Sequence, residues 1–258
     1  MAHPAYGIPR VVTPFASVVL EDNPSSMTLD GTNTWVLRAP GSEDCVLVDP
    51  GTQDVAHLER VVAAAGPVAL ILITHEHPDH VGGAPWTAER TGAPVRAFDD
   101  RFCVNADPLR DKEIIAAGGL SLTVLHTPGH TGDSVCLEVA HDGVAATLTG
   151  DTVLGRGTTV VFDLGAYLDS LRTLAATEPG TVVLPGHGPD LPDLAVTAAE
   201  YLAHREARLD QVRAALRQLG GDATPRQVVE IVYADVDRSL WGPAEWSVQA
   251  QLDYLRSR

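Results

Sequence analysis

The stretch Val68-Ala69-Leu70-Ile71-Leu72-Ile73-Thr74-His75-Glu76-His77-Pro78-Asp79-His80 decides how the rest of the chain is read. Its first seven residues are an apolar run of strand length. Where that run ends, three imidazoles and the Asp79 carboxylate fall within six positions. Histidines at i and i+2 on an extended chain point the same way, so His75 and His77 can reach one ion. Asp79 and His80, on the turn entering the next helix, can reach a neighbouring one. Neutral imidazole and carboxylate donors suit zinc, with other divalent transition ions also compatible.

Outward from this cluster, short apolar runs alternate with turn signals: 17–20, 34–37, 45–49, 120–125, 134–139, 144–149 and 181–184 read as strands. Helical periodicity covers 54–65, 84–91 and 164–176, and His141-Asp142-Gly143 reads as a tight hairpin turn. Strands interleaved with helices and hairpins predict an α/β sandwich of mixed sheets. Three further ligand types sit in turns directly after strands: His130 in Thr127-Pro128-Gly129-His130, Asp151 in Thr149-Gly150-Asp151, and His187 in Pro185-Gly186-His187-Gly188.

From Pro192 the patterning becomes long and helical, over 194–219, 225–233 with Thr224 as N-cap, and 243–255. Residues 1–194 carry 10 basic and 25 acidic side chains, whereas 195–258 carry 8 and 9. The expected division is a catalytic domain over 1–194 and a helical appendage over 195–258 packed against it.

The chain has 258 residues, 45% of them apolar, and a formal charge of −16. That composition excludes a disordered or fibrous chain, and the charge repels phosphate backbones. No apolar run approaches the roughly 20 residues that cross a bilayer, and the N-terminus lacks a signal-peptide pattern, so the expected setting is the cytoplasm without membrane contact. Cys45, Cys103 and Cys136 match neither a disulfide framework nor a zinc knuckle, and read as buried free thiols.

The ordered set HxHxDH, TPGH, TGD and PGHG resembles the metallo-β-lactamase superfamily over most of residues 11–194. The resemblance implies an αβ/βα sandwich, with His75, His77 and His130 around a first zinc, Asp79, His80 and His187 around a second, and Asp151 bridging both. Residues 23–34, 150–160 and 201–205 look like the branch of β-lactamase-like protein 2. That branch includes a single-strand endoribonuclease and fungal polyketide thioesterases. The terminal helices resemble a truncated winged helix, whose hairpin wing is expected to be missing.

Two ions would lower the pKa of a shared water and polarise the substrate, so no Ser or Cys nucleophile is needed. Asp79 is the expected catalytic residue, orienting the hydroxide and returning a proton to the leaving group. Asp49 is placed to accept a hydrogen bond from a ligand imidazole. Asn33, Thr158 and Thr159 are candidates for the mouth of the site. Tyr201, His204 and Arg205, with Arg208, share one helix face that either offers a basic lip to substrate or packs the appendage. His3, His57, His126 and His141 read as surface or turn residues. The leading expectation is a dinuclear zinc hydrolase of a small or carrier-bound acyl ester or thioester. An RNA-cleaving enzyme comes second, and a β-lactamase or a non-catalytic metal-binding module is less favoured.

Overall fold

The strand that ends at the histidine cluster, β5 (Val68–Leu72), lies inside a six-stranded sheet in the computed structural model, which describes residues 5–257. Its neighbours are β1 (Arg10–Thr13), β2 (Ala16–Leu20), β3 (Asn33–Leu37), β4 (Cys45–Val48) and β6 (Val95–Arg96), in the order β1-β2-β3-β4-β5-β6. The first four strands pair antiparallel, and β5 is parallel to both β4 and β6. A second sheet has the order β11-β10-β9-β8-β7, built from β7 (Ile114–Ala117), β8 (Leu120–His126), β9 (Val135–His141), β10 (Val144–Gly150) and β11 (Val182–Pro185). Here β10 and β11 are parallel and the remaining pairs antiparallel.

The inner faces meet in one core, where Trp35, Leu37, Val46 and Leu72 pack with Leu122, Leu137, Leu148 and Leu184. Each fully buried leucine contributes about 2 kcal/mol of transfer free energy. The outer face of the first sheet is covered by α1 (Val55–Ala65) and α3 (Ala84–Thr91), with the one-turn α2 (Pro78–Val81) leading into α3. The outer face of the second carries α4 (Leu164–Ala175) and α5 (Leu194–Leu219). Covering both faces of a sheet removes the need for alternation, which is why the β5 run is continuously apolar.

The C-terminal end of α5 packs with α6 (Pro225–Val232) and α7 (Trp241–Arg256) through Val212, Val228, Trp241 and Val248. Among the described residues no strand follows β11, and no helix is long and apolar enough to cross a membrane. Local signals stop and start these elements where chemistry requires. Asp54 caps α1 through Ala56 N at 2.9 Å, Asp193 caps α5 through Val196 N at 3.0 Å, and Thr224 with Gln227 forms a capping box on α6. The β9–β10 hairpin turns on Asp142 and Gly143, both at positive φ, 48° and 79°.

Several expectations need correction. The strands β1, β6 and β7 and the helix α2 were not expected, being short and, in β1 and β7, partly exposed. Helix α7 begins at Trp241, two residues before Pro243, because a proline in a first turn forfeits no intrahelical bond. His57 is not a surface residue: it is 1% exposed, with Nε2 3.1 Å from Thr34 Oγ1. Cys103 is half-buried, unlike Cys45 and Cys136. His126 bonds the Gly132 carbonyl and stacks on Phe98, while His141 closes β9 at the hairpin. His3 lies outside the described residues.

Candidate metal centre

Strand direction gathers the site. Because β8, β10 and β11 run the same way, the turns that follow them leave the second sheet at one edge, carrying His130, Asp151 and His187. The chain leaving β5 reaches that edge from the first sheet. Backbone hydrogen bonds stitch the two sheets together here, from Val135 N to Thr74 O at 2.9 Å and from Asn33 N to Gly186 O at 2.8 Å. Pro78 opens α2 and places Asp79 in its first turn and His80 in its last.

Seven side chains converge into two groups. His75, His77, His130 and Asp151 form one, and Asp79, His80 and His187 the other, each with its donor atoms within 4.8 Å of one another. In the first, His77 Nδ1 lies 3.0 Å from both His75 Nε2 and His130 Nε2. In the second, His80 Nε2 faces His187 Nε2 at 3.3 Å, and Asp79 Oδ2 is 3.4 Å and 3.3 Å from those nitrogens. Asp151 touches both groups, with Oδ1 3.5 Å from His80 Nε2 and Oδ2 3.3 Å from His187 Nε2 and 3.7 Å from His130 Nε2.

The chemistry of this donor set fits divalent metal. His130 Nδ1 lies 2.8 Å from the Val160 carbonyl and His187 Nδ1 3.1 Å from the Gly31 carbonyl. A carbonyl only accepts, so the imidazole protons belong on those outer nitrogens and bare lone pairs point inward. His80 is fixed the same way, with Nδ1 donating to Asp49 Oδ2 at 2.8 Å. His75 is held through Thr74, whose hydroxyl donates to Asp49 Oδ2 at 2.6 Å and stands 3.0 Å from His75 Nδ1. Lone pairs and carboxylates that face one another in a buried space need a cation among them, and Asp151 Oδ1 is buried with no hydrogen-bond donor.

The electrostatics point the same way. Burial pushes His75 well down and His130 down to about 4, and lowers His77 as well, so all three are neutral imidazoles at physiological pH. Burial works against the charged forms of Asp79 and Asp151, yet the His187 and His80 imidazoles hold both carboxyls below their ordinary range. His187 is likewise disfavoured as a cation by burial but raised well above its ordinary value by Asp151 and Asp79. Two carboxylates at this centre demand positive charge.

Beside the centre opens a cavity of about 370 Å³ whose wall includes His130, Asp151, Thr158, Thr159, His204 and Arg205. Two expected substrate-binding residues are placed differently. Asn33 spends both amide hydrogens on the Pro185 and Gly188 carbonyls, at 3.0 and 2.9 Å, and so pins the turn that carries His187. Tyr201 is buried, its hydroxyl donating to the Gly157 carbonyl at 2.7 Å, and it braces the 154–157 loop without lining the cavity. Thr159 Oγ1 also stands 3.0 Å from His130 Nδ1.

Asp49 occupies the place expected of it behind an imidazole. Thr32, whose hydroxyl donates to Asp79 Oδ2 at 3.0 Å, and Thr74, which links Asp49 to His75, were not among the expected site residues. Neither carries a local signal, since a threonine in a strand or turn is ordinary. Gly186 was quoted for its motif, and the structure supplies the reason for it: a Cβ there would stand 2.5 Å from Asp151 Oδ1 and 2.7 Å from His80 Cε1.

Two mixed sheets flanked by helices, with paired imidazole and carboxylate clusters at the strand-end edge, define the class as an α/β metallohydrolase. The family model described as the metallo-beta-lactamase superfamily matches residues 27–187, and that of the beta-lactamase associated winged helix domain matches 224–258. A beta-lactamase-like protein 2 homolog from Drosophila melanogaster is 33% identical over 270 residues, covering 96% of this chain and 90% of the relative. An atrochrysone carboxyl ACP thioesterase from Aspergillus chevalieri is 33% identical over 249 residues, covering 89% and 76%. The structure of a beta-lactamase domain protein from Burkholderia ambifaria superposes with a TM-score of 0.81 at 25% identity, covering 99% of this chain and 89% of that one. The chain belongs to the metallo-beta-lactamase superfamily, with a C-terminal winged-helix-associated region.

Proposed function

We propose that the protein is a dinuclear zinc-dependent hydrolase of acyl esters or thioesters, with a carrier-bound acyl thioester as its preferred substrate class. The observation that carries this reading is the position of Asp151 between two donor clusters beside a cavity whose wall mixes apolar and polar side chains. The similarity to a relative named as an ACP thioesterase supports the choice of substrate. We read residues 1–194 as the catalytic unit and 195–258 as the appendage that closes the cavity. The free cysteines suit a reducing cytoplasm, where we place the protein.

In this reading His75, His77 and His130 would hold one ion and Asp79, His80 and His187 the other, with Asp151 within reach of both sets. When bound, the ions supply the Lewis acidity that makes water nucleophilic near neutral pH and polarises an acyl carbonyl. Water adds to the carbonyl carbon, the C–S bond breaks, and an acid and a thiol leave. Asp79, oriented by the Thr32 hydroxyl and partly open to solvent, holds the attacking water and passes its proton to the departing sulfur. Thr158, Thr159, His204 and Arg205 orient the acyl portion along the cavity wall.

A formal charge of −16 opposes a polyphosphate substrate. The deciding experiment presents zinc-loaded protein in parallel with acyl thioesters, a lactone and a labelled single-stranded RNA. Zinc-dependent thiol release with intact RNA is the expected result. Zinc-dependent RNA cleavage without thiol release would replace this reading with that of an endoribonuclease.

A further inference from the structure

The cavity beside the metal centre has a charge balance opposite to that of the protein around it. In a chain with 34 acidic and 18 basic side chains, its wall carries Arg156, Arg205 and Arg208 against a single carboxylate, Asp151. Asp151 faces the imidazoles of the two clusters, with its oxygens 3.5 Å from His80 Nε2, 3.7 Å from His130 Nε2 and 3.3 Å from His187 Nε2. Arg156 is paired with Asp30, but among the described residues Arg205 and Arg208 have no carboxylate within ion-pair distance.

Arg205 is the more telling of the two. It is 3% exposed, donates through Nη2 to the Thr159 carbonyl and lies 5.3 Å from the centre of the Tyr167 ring. Its Nε is buried and, among the described residues, has no hydrogen-bond partner. A buried guanidinium that lacks a counter-charge and leaves a donor unmet is costly, and holding one loop carbonyl does not require a full positive charge. Arg208, one turn on, meets neutral groups among the described residues: Gln211 Oε1 at 2.8 Å, the Val232 carbonyl at 3.0 Å and the Tyr233 ring at 4.4 Å. The same wall carries apolar Met27, Leu154, Val160 and Leu240, and Thr159 touches both Arg205, through its carbonyl, and His130, through its hydroxyl at 3.0 Å.

We infer that the cavity recognises an anionic group on the substrate, a carboxylate or phosphate oxyanion bound by Arg205 and Arg208 while the scissile carbonyl lies at the metal centre. The inference rests on the thioesterase reading above and narrows it to acyl thioesters that carry an oxyanion. That oxyanion has two chemical sources, a carboxylate on the acyl group or the phosphate of a phosphopantetheine arm. Guanidinium forks suit both, because each presents two coplanar acceptor oxygens.

Two substrate pairs separate these sources. Glutaryl and valeryl thioesters of N-acetylcysteamine differ by one carboxylate, and valeryl thioesters of 4′-phosphopantetheine and pantetheine differ by one phosphate. In at least one pair kcat/KM should favour the anionic member by about tenfold or more, the scale of one charge-assisted hydrogen bond. That preference should fall with added salt. Arg208→Gln and Arg205→Lys should each lower kcat/KM more for the anionic member than for the neutral one, Lys keeping the charge but not the fork. Calorimetric binding of the same four compounds to the metal-free protein supplies a readout that needs no turnover.

Equal kcat/KM within both pairs, or equal losses for neutral and anionic members in both variants, would overturn the inference and leave the thioesterase reading standing. No hydrolysis of any of the four, combined with Arg208-dependent binding of an anionic member, would sink the thioesterase reading and keep the anion site. No hydrolysis and no selective binding would end both.

Discussion

The carboxylate of Asp49 lies 2.8 Å from Nδ1 of His80, and the same oxygen takes the Thr74 hydroxyl proton at 2.6 Å. One side chain outside the donor set thereby orients ligands of both clusters, His80 directly and His75 through Thr74. Asp49 does this from a left-handed backbone position, φ 52°, that only a few residue types tolerate. Asparagine is one of them, so Asp49→Asn should fold. It should lower metal affinity or kcat/KM by about 10- to 100-fold, the usual cost of losing a carboxylate behind a ligand imidazole. Metal content after dialysis, measured beside turnover, checks this. Wild-type values of both would show that Asp49 serves only its turn.

Gly186 sets a steric limit on the same cluster. A methyl group there would stand 2.5 Å from Asp151 Oδ1 and 2.7 Å from His80 Cε1, and neither neighbour has room to retreat. Gly186→Ala should cost about 1–3 kcal/mol of stability and reduce the bound metal. Thermal melting of the apo and zinc-loaded variant separates the two effects. The apo shift reports strain, and a smaller gain on adding zinc reports the damaged site.

Asp151→Ala should release both ions, whereas Asn33→Ala should loosen only the turn that carries His187. Metal analysis should find about two equivalents in the wild type, by the ligand arithmetic of two three-residue sets with one shared carboxylate. It should find a near-total loss in Asp151→Ala and a partial loss in Asn33→Ala. Equal losses would contradict the shared role of Asp151.

Chelation should lower the melting temperature of the wild type, because inward lone pairs and carboxylates are then left facing one another without a cation. Zinc should restore it in proportion to the free ion concentration. A melting temperature indifferent to chelator would show that the centre is stabilised by protons alone.

His57, which holds no ligand position, predicts a pH effect of its own. Burial lowers its pKa from 6.5 to about 4, so the folded protein resists a proton that the unfolded chain accepts. Stability from this residue is complete above the unfolded value near 6.5 and is lost as pH falls towards 4. Between pH 7.5 and 5 the loss should be about 2 kcal/mol, and His57→Gln should lack it. Urea melts of both proteins in chelator, at the two pH values, isolate this difference because every other titrating group is shared. Parallel pH dependences would show that His57 is protonated equally in both states.

Local sequence determined much of this protein. The run from Val68 to His80 announces a strand ending in metal-ligand chemistry because residue types and their spacing act within a few positions, and caps such as Thr224 and the Asp142-Gly143 turn are legible for the same reason. The seven-member donor set was legible as motifs at strand ends. What only the tertiary structure decided is which atoms face one another. That Asp49 backs two imidazoles, that Thr32 holds Asp79, that Asn33 and Tyr201 brace loops, and that His57 is buried all depend on contacts across 23 to 152 positions of chain. Periodicity and capping report only a residue's own neighbourhood. The direction of a hydrogen bond and the charge left unpaired on Arg205 emerge when two sheets and the C-terminal helices close around one edge and exclude the water that would otherwise have satisfied them.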